Sequence, residues 1–418
     1  MNTTHGDVLV LGGGVIGLSC ALYLLKAGAS VRVLEQGKIG SGSSHGNCGT
    51  LTPSHAEPLC APGMVGKAMH WMFKRDAPLY VNPKPDPARL RWLLGFARHC
   101  NRRDFSRGAH ARAAILLRSR SLLEEIILGE GLDCEFANDG VMFVYRDPAA
   151  LDADQSHIDW LQQLQIPVER KSATEVLAME PALREDIVGG IHHPGDARFR
   201  PDRYVDELAR RVRELGGAIE EDTPVERFVT AHGGVREVLT TRGRFSADRV
   251  VLALGAWSPL LGAKLGLHLP MQPGKGYSIT YGPSAHCPRL PLVLHEVSVC
   301  VTCWGSGCRL GSTMEFSGYD RSLNGRRLAA LERGAALYLR HPIDAAVEEK
   351  WWGWRPMSVD DIPIIGPSTR WTNLMLATGH GMMGMSMSAA TGELVASLCS
   401  GPAPVLDPTP YSPARFRL

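Results

Sequence analysis

Apolar and polar positions follow several rhythms along this chain, and each predicts an element. Val8–Leu11 is an unbroken apolar run of strand type. Val15 to Lys26 carries apolar residues at helical spacing, Gly28 closes that helix, and Val31–Leu34 is a second strand. The opening is therefore a β-α-β unit. The stretch that follows, SGSSHGNCGTLTPS, is small, polar and glycine-rich, and predicts an ordered loop. Residues 56–110, rich in Pro, Trp and Arg, read as irregular. Helical spacing returns over Ala109–Leu128, where Ile115, Leu116, Leu122, Leu123, Ile126 and Ile127 form the apolar face. A short strand is predicted at Val141–Tyr145, and helix, turn and helix over 151–185 with Pro181 breaking the second. Asp202–Leu215 is an amphipathic helix ended by Gly216-Gly217. Strands are predicted at about 218–220, 225–229, 235–241 and 249–253, and an antiparallel set over 268–320. Leu374–Ala377 is a last strand, running through a glycine loop into a helix at about 385–399.

These signals predict an α/β protein with a discontinuous Rossmann-like nucleotide domain, assigned to 1–85, 196–265 and 350–418. A mixed antiparallel-sheet α+β domain, assigned to 86–195 and 266–349, is interleaved with it. Neither a repeat of fixed period nor a low-complexity tract interrupts the pattern. With 418 residues, of which 44% are hydrophobic, the chain can bury the cores of two such domains. A formal net charge of +2 gives no global field to attract nucleic acid, and none is expected as a partner. Locally the balance differs: Lys67 to Arg120 holds thirteen Lys/Arg against Asp76, Asp86 and Asp104. The polar start MNTTHGD has no export-type segment, so the ten scattered cysteines are expected as reduced thiols in the cytoplasm. No apolar run approaches the roughly 18–20 residues of a membrane span.

The strongest motif is Gly12-x-Gly14-x-x-Gly17, placed after a strand and opening a helix. Gly12 permits a tight turn, Gly14 lets a diphosphate approach the backbone, and Gly17 lets helix and strand pack closely. Val15 and Ile16 begin the helix whose N-terminal N–H groups face the anion. Glu35, followed by Gln36, closes the second strand eighteen residues after Gly17, where a carboxylate can accept from a ribose diol. That acid disfavours a 2′-phosphate, which excludes NADP but leaves FAD and NAD.

From SGSSHGNCGTLTPSHAEPLCAPG onward the chain resembles the FAD-dependent D-amino-acid oxidase superfamily. The nearest branch is that of the bacterial D-amino-acid dehydrogenases, which includes D-hydroxyproline dehydrogenases. The glycine fingerprint, this loop, TPVERF, ADRVVLALGAWS with KGYS, and a block reading GWRPMSVDDIPIIG then LATGHGMMGMSMSAATGEL carry the resemblance over nearly the whole chain. It implies that FAD is the cofactor, and that Ser43, Ser44, Asn47, Gly49 and Leu51 line its diphosphate and ring. Val225 would meet the adenine, although an ordinary core valine reads the same way. Ala253, Gly255 and Trp257 would form the second nucleotide-contacting turn. Gly379-His380-Gly381-Met382-Met383-Gly384 would aim a helix N-terminus at the ring. Arg355 would clamp a substrate carboxylate through two parallel hydrogen bonds, unless Asp360 or Asp361 claims it as an ion pair. Tyr277 would face the substrate or else hold the domain junction. His55 and His380 would stand near the ring, with Glu315 as a further candidate.

The activity this implies is dehydrogenation of the Cα–N bond of a D-amino acid, D-proline and cis-4-hydroxy-D-proline among the candidates. Electrons would pass to a quinone or a partner subunit. No residue is assigned as acid or base, because hydride loss needs a neutral amine and positioning. A glycine or sarcosine-type oxidase, a noncatalytic FAD-carrying subunit and an NAD dehydrogenase stand as alternatives. Cys300-x-x-Cys303 with Cys308 suggests metal, yet strand positions three apart face opposite sides, so no metal ligand is assigned. Cys48 reads as a small buried side chain rather than a flavin attachment point. Trp71, Met72, Phe73, Trp92, Leu93, Leu94 and Phe96 lie within the basic 67–120 region. Together they would touch the inner face of a membrane or a partner subunit, or else form a solvated basic face with locally buried aromatics.

Overall fold

A computed structural model describes residues 3–72, 79–341 and 343–418. Strand β1 (Thr3–Leu11) runs into helix α1 (Val15–Lys26) and strand β2 (Val31–Leu34), as the apolar pattern requires. Val15, Leu18, Cys20, Ala21, Leu22 and Leu24 bury α1 nearly all round, and Gly28, at φ +89°, turns the chain out of it. β1 pairs in parallel with β2 on one side and with Gly243–Leu252 on the other. The eight-stranded sheet is completed by 218–220, 225–231, 234–240, 364–367 and 374–378.

The chain after β2 forms helices α2 (Met64–Met72), α3 (Pro87–His99) and α4 (Arg102–Gly129). The irregular segment expected at 56–110 is thus largely helical, and the helix expected from Ala109 begins at Arg102. The start signals are local. Asp86 accepts from the Ala88 and Arg89 N–H groups with Pro87 in the first turn, and Asn101 accepts from Asp104 N. Tertiary packing supplies the rest, since α3 buries Trp92, whose Nε1 donates to the Met357 carbonyl at 2.9 Å.

A nine-stranded sheet forms the second layer. It contains β3 (Met271–Tyr281), β4 (Val299–Trp304), β5 (Gly307–Phe316) and β6 (Val347–Ser358), in spatial order β6-β3-β5-β4. The order continues through 292–294, 141–145, 189–193 and 169–172. The strand 169–172, which sequence reading placed inside a helix–turn–helix, is a polar edge strand, ERKS, without an apolar face to announce it. Strand β6 straddles the boundary expected at 350, and Leu79–Val81, from the expected nucleotide segment 1–85, pairs with β5. Most pairs in this sheet are antiparallel, but 292–294 with 141–145 and 79–81 with β5 are parallel. The C-terminal helix α5 (Gly384–Ser400) packs on α1 and α4. Among the described residues no helix is long and apolar enough to cross a membrane.

Candidate active site

The turn between β1 and α1 is shaped by glycines that nothing else could replace. At Gly12, φ is +107° and a Cβ would sit 2.4 Å from the Ala253 carbonyl oxygen. A Cβ on Gly17 would meet the Gly12 oxygen at 1.8 Å, so a side chain at either position would push helix and strand apart. Gly14 caps α1 without a side-chain hydrogen bond, and the first turn carries no acid. The partial positive charge of that helix end is therefore left for an anion.

A cavity of about 1380 Å³ opens beside this turn. Gly12, Gly14, Val15 and Ile16 line it with Glu35, Gln36 and Val225, as do Ala253, Gly255 and Trp257. The Glu35 carboxylate accepts from Gly13 N at 2.7 Å and from Gly37 N at 3.0 Å. Burial pushes its pKa up, while those backbone N–H groups pull it back.

Ser43, Ser44 and Asn47 bring the small polar loop into the same lining. Ser44 Oγ accepts from Val15 N at 3.1 Å, tying loop to helix, and Ser43 Oγ donates to the Trp354 carbonyl. Sequence reading missed what fixes this loop. Arg309, fully buried on β5, donates through Nη1 to the His45 and Asn47 carbonyls at 2.9 and 2.8 Å, and through Nε to Thr280 Oγ1 at 2.9 Å. An isolated arginine in a strand gives no sequence signal of that duty. Four expected cofactor residues fall outside the lining and support it instead. Gly17 seats α1, Gly49 turns the loop at φ +77°, Leu51 is wholly buried, and Gly379 adopts φ +78° before the last helix.

Tyr277, Arg355, His55 and His380 line the cavity together with Gly381, Met382, Met383 and Gly384. Arg355 stands on β6, opposite Gly274 of β3. Room for its guanidinium comes from Gly276, where a Cβ would lie 2.4 Å from Nη1. Its Nη1 donates to the Thr313 carbonyl at 2.6 Å, and among the described residues no carboxylate pairs with it. Asp360 pairs with Arg415 at 2.8 Å and Asp361 with Arg112 at 2.9 Å, so neither neighbour claims Arg355. Burial lowers the Arg355 pKa, which is the mark of a desolvated cation short of a counter-charge.

His380 Nε2 lies 3.0 Å from Thr391 Oγ1, whose hydroxyl donates onward to the Met387 carbonyl at 2.9 Å. That chain makes Nε2 the protonated nitrogen and leaves Nδ1 an acceptor. Burial pulls the His380 pKa down to about 3, and that of His55 to about 4, so both rings are neutral at pH 7. The Tyr277 hydroxyl donates to Glu315 Oε2 at 3.1 Å, which spends its proton inside the protein and leaves its oxygen as an acceptor. Glu315 itself is buried and outside the cavity lining. Cys48 and Cys300 also line the cavity.

The cavity continues past Met64, Val65, Leu93 and Phe96 of α2 and α3. This apolar arm went unrecognised in the sequence because those residues read as irregular surface. Trp92, offered as a membrane-facing residue, is instead a core residue at 5% exposure, and Phe96 stacks on it at 5.2 Å. Phe73 lies outside the described residues.

These residues fit FAD on the structure's own terms. Gly14 and Met383, which stand at the N-caps of α1 and α5, contribute no side-chain cap and neither first turn carries an acid; a carboxylate awaits a ribose diol, and the space exceeds a small substrate. A parallel β-α-β turn of this kind, sharing one cavity with a half-buried arginine from a mixed sheet, defines a dinucleotide-binding oxidoreductase. The chain matches the FAD dependent oxidoreductase (DAO) family over residues 7–398, and it belongs to that family. It is 35% identical over 417 residues to a D-amino acid dehydrogenase of Agrobacterium fabrum strain C58, covering 98% of this chain and 99% of that protein. A D-amino acid dehydrogenase of Bradyrhizobium diazoefficiens is 34% identical over 415 residues, covering 98% of each. Among solved structures, glycine oxidase from Geobacillus kaustophilus superposes with a TM-score of 0.79 at 25% identity, over 98% of both chains. L-proline dehydrogenase from P. horikoshii shares the fold, with a TM-score of 0.77 at 20% identity over 99% of this chain and 98% of that one. The protein is an FAD-dependent oxidoreductase with the α/β architecture expected of the family.

Proposed function

We propose that this chain oxidises the Cα–N bond of a D-amino acid, with D-proline and cis-4-hydroxy-D-proline as leading substrates. The observation that carries this reading is Arg355, a half-buried cation at the cavity wall with, among the described residues, no carboxylate of its own. Its planar guanidinium can take an amino-acid carboxylate through two hydrogen bonds and so fix which face of Cα is presented. The relatives named D-amino acid dehydrogenase support that choice of substrate.

FAD, when bound, supplies the acceptor for the hydride that leaves Cα. The residues named above would hold it: Gly12 to Ile16 and the α5 N-terminus at its charged groups, Glu35 at a ribose, and Ser43, Ser44 and Asn47 along its length. Around the substrate the chain contributes position and dryness. His380 and His55 are neutral, so neither adds a charge beside Arg355, and no general base is assigned. The imine produced from a primary amine is open to hydrolysis by water, and a cyclic substrate leaves as a ring imine.

The electron acceptor we propose is a membrane quinone. Support comes from the apolar arm of the cavity and from what surrounds it. Met69, Leu90 and Leu94 are exposed on α2 and α3, beside the exposed Lys67, Arg91, Arg98, Arg102, Arg103 and Arg107. Such a mixture suits peripheral contact with an anionic bilayer. The test is an anaerobic flavin-bleaching screen with paired D- and L-amino acids. Bleaching is expected with D-enantiomers, including D-proline or cis-4-hydroxy-D-proline; yellow colour unchanged by every one of them rejects the substrate reading. Peroxide released in air without added acceptor would make the protein an oxidase instead.

A further inference from the structure

Ten cysteines are free in this chain, and three of them converge away from the cavity. Cys303 on β4 and Cys308 on β5 are direct cross-strand partners, so their side chains leave the same face of the sheet. Their sulfurs are 2.8 Å apart. Cys287, from the connection between β3 and 292–294, completes the group, with all three Sγ atoms within 4.8 Å of one another. The rule that positions three apart face opposite ways separates Cys300, which lines the flavin-side cavity, from Cys303. That rule says nothing about partners across a hairpin, and sequence reading assigned no ligand here for that reason.

We propose that Cys287, Cys303 and Cys308 form a three-thiolate site for a thiophilic metal ion, with zinc(II) as its occupant. Sulfur ligands select soft and borderline ions, and a bound ion would spread the sulfurs to about 3.7 Å from their present crowding, given Zn–S bonds of about 2.3 Å. Each thiol gives up its proton on binding. Cys303 and Cys308 are buried within an apolar cluster that includes Ile279, Tyr281 and Leu292, whereas Cys287 is half-buried. An ion can therefore enter from the Cys287 side, where water completes its coordination, while the opposite side stays dry. Arg198 brings a positive charge near the thiolates by donating to the Cys303 carbonyl. The hairpin that carries two ligands is itself anchored at its tip, where Ser306 N donates to Glu135 Oε2 at 3.1 Å. Zinc would clamp the 282–291 connection onto that fixed hairpin.

The experiment uses the full-length flavoprotein, reduced and then dialysed against zinc. We expect one zinc per chain by elemental analysis, retained against a chromophoric chelator, with the half-buried Cys287 thiol protected from a thiol reagent relative to the zinc-free protein. Cys287→Ser, in the half-buried connection, should fold and lower affinity by more than the roughly 10–100-fold that losing an outer-shell partner costs. Cys303→Ser and Cys308→Ser should act alike, and Cys100→Ser should bind zinc as the parent does. The proposal is overturned if the reduced parent protein binds no zinc, if Cys287→Ser binds it equally well, or if the protein carries a Cys303–Cys308 disulfide that, once reduced, takes up no metal.

Discussion

Around Gly12 the cavity wall is backbone, whereas around Arg355 it is side chain. The first wall comes from one short β-α-β stretch, where tight turns and main-chain N–H groups suffice and a side chain at 12 or 17 would intrude. The second is assembled from β3, β5, β6 and the loop before α5, which lie far apart in sequence. There a single guanidinium supplies the charge, and the glycine at 276 leaves it space. The difference teaches that a generic cofactor can be met by main chain, which every sequence has. A particular substrate needs a functional group delivered to one point.

The comparison can be broken at its strongest place first. Arg355→Leu should cost about 2–5 kcal/mol in kcat/KM, as truncating one partner of a buried charge pair does, while leaving the flavin content at the parent level. Steady-state assay with a soluble dye acceptor measures the first and visible absorbance the second. Loss of flavin in this variant would mean that the two walls are not separable.

His380 sharpens the same wall through pH. Its folded pKa of about 3 lies below the 6.5 of the free side chain, so the unfolded chain binds more protons between those values. Stability from keeping it neutral is complete above pH 6.5 and is lost as pH falls towards 3, by on the order of a few kcal/mol. His380→Asn keeps a donor towards Thr391 but cannot titrate there. Thermal unfolding followed from pH 7 to pH 4 should therefore show a shallower decline than in the parent, and parallel curves would refute the assignment. His55 titrates in the same sense and remains in both proteins, so the decline should persist in part.

On the backbone wall, Gly17→Ala should destabilise by about 1–3 kcal/mol, the usual result of overpacking, and should lower flavin occupancy more than kcat per bound flavin. The flavin-to-protein ratio and turnover per flavin separate these. The smallest effect belongs to neither wall. Leu90→Ser with Leu94→Ser should stay within about 0.5 kcal/mol of the parent in stability, as surface changes do, and should leave dye-linked turnover unchanged. Binding to anionic vesicles should weaken, and undiminished binding would remove α3 from the proposed membrane contact.

What the chain revealed by itself is what short-range physics controls. The β-α-β unit, the glycine turn, Glu35 and the small polar loop were all legible, because periodicity and turn chemistry operate within a few residues. Helices α2 and α3 were not. The cap of α3 at Asp86 is present in the sequence, but the apolar face of that helix is narrow and becomes stable only against Met357, Phe316 and their neighbours. Tertiary structure alone decided that Asp360 and Asp361 pair with Arg415 and Arg112 and so leave Arg355 free of them. It alone decided that Arg309 fastens the polar loop and that Cys303 meets Cys308 while Cys300 turns to the cavity. The physical reason is that strand pairing and ion pairing depend on which distant segments become neighbours. Register across a sheet is set by the whole core, and no window of sequence contains it.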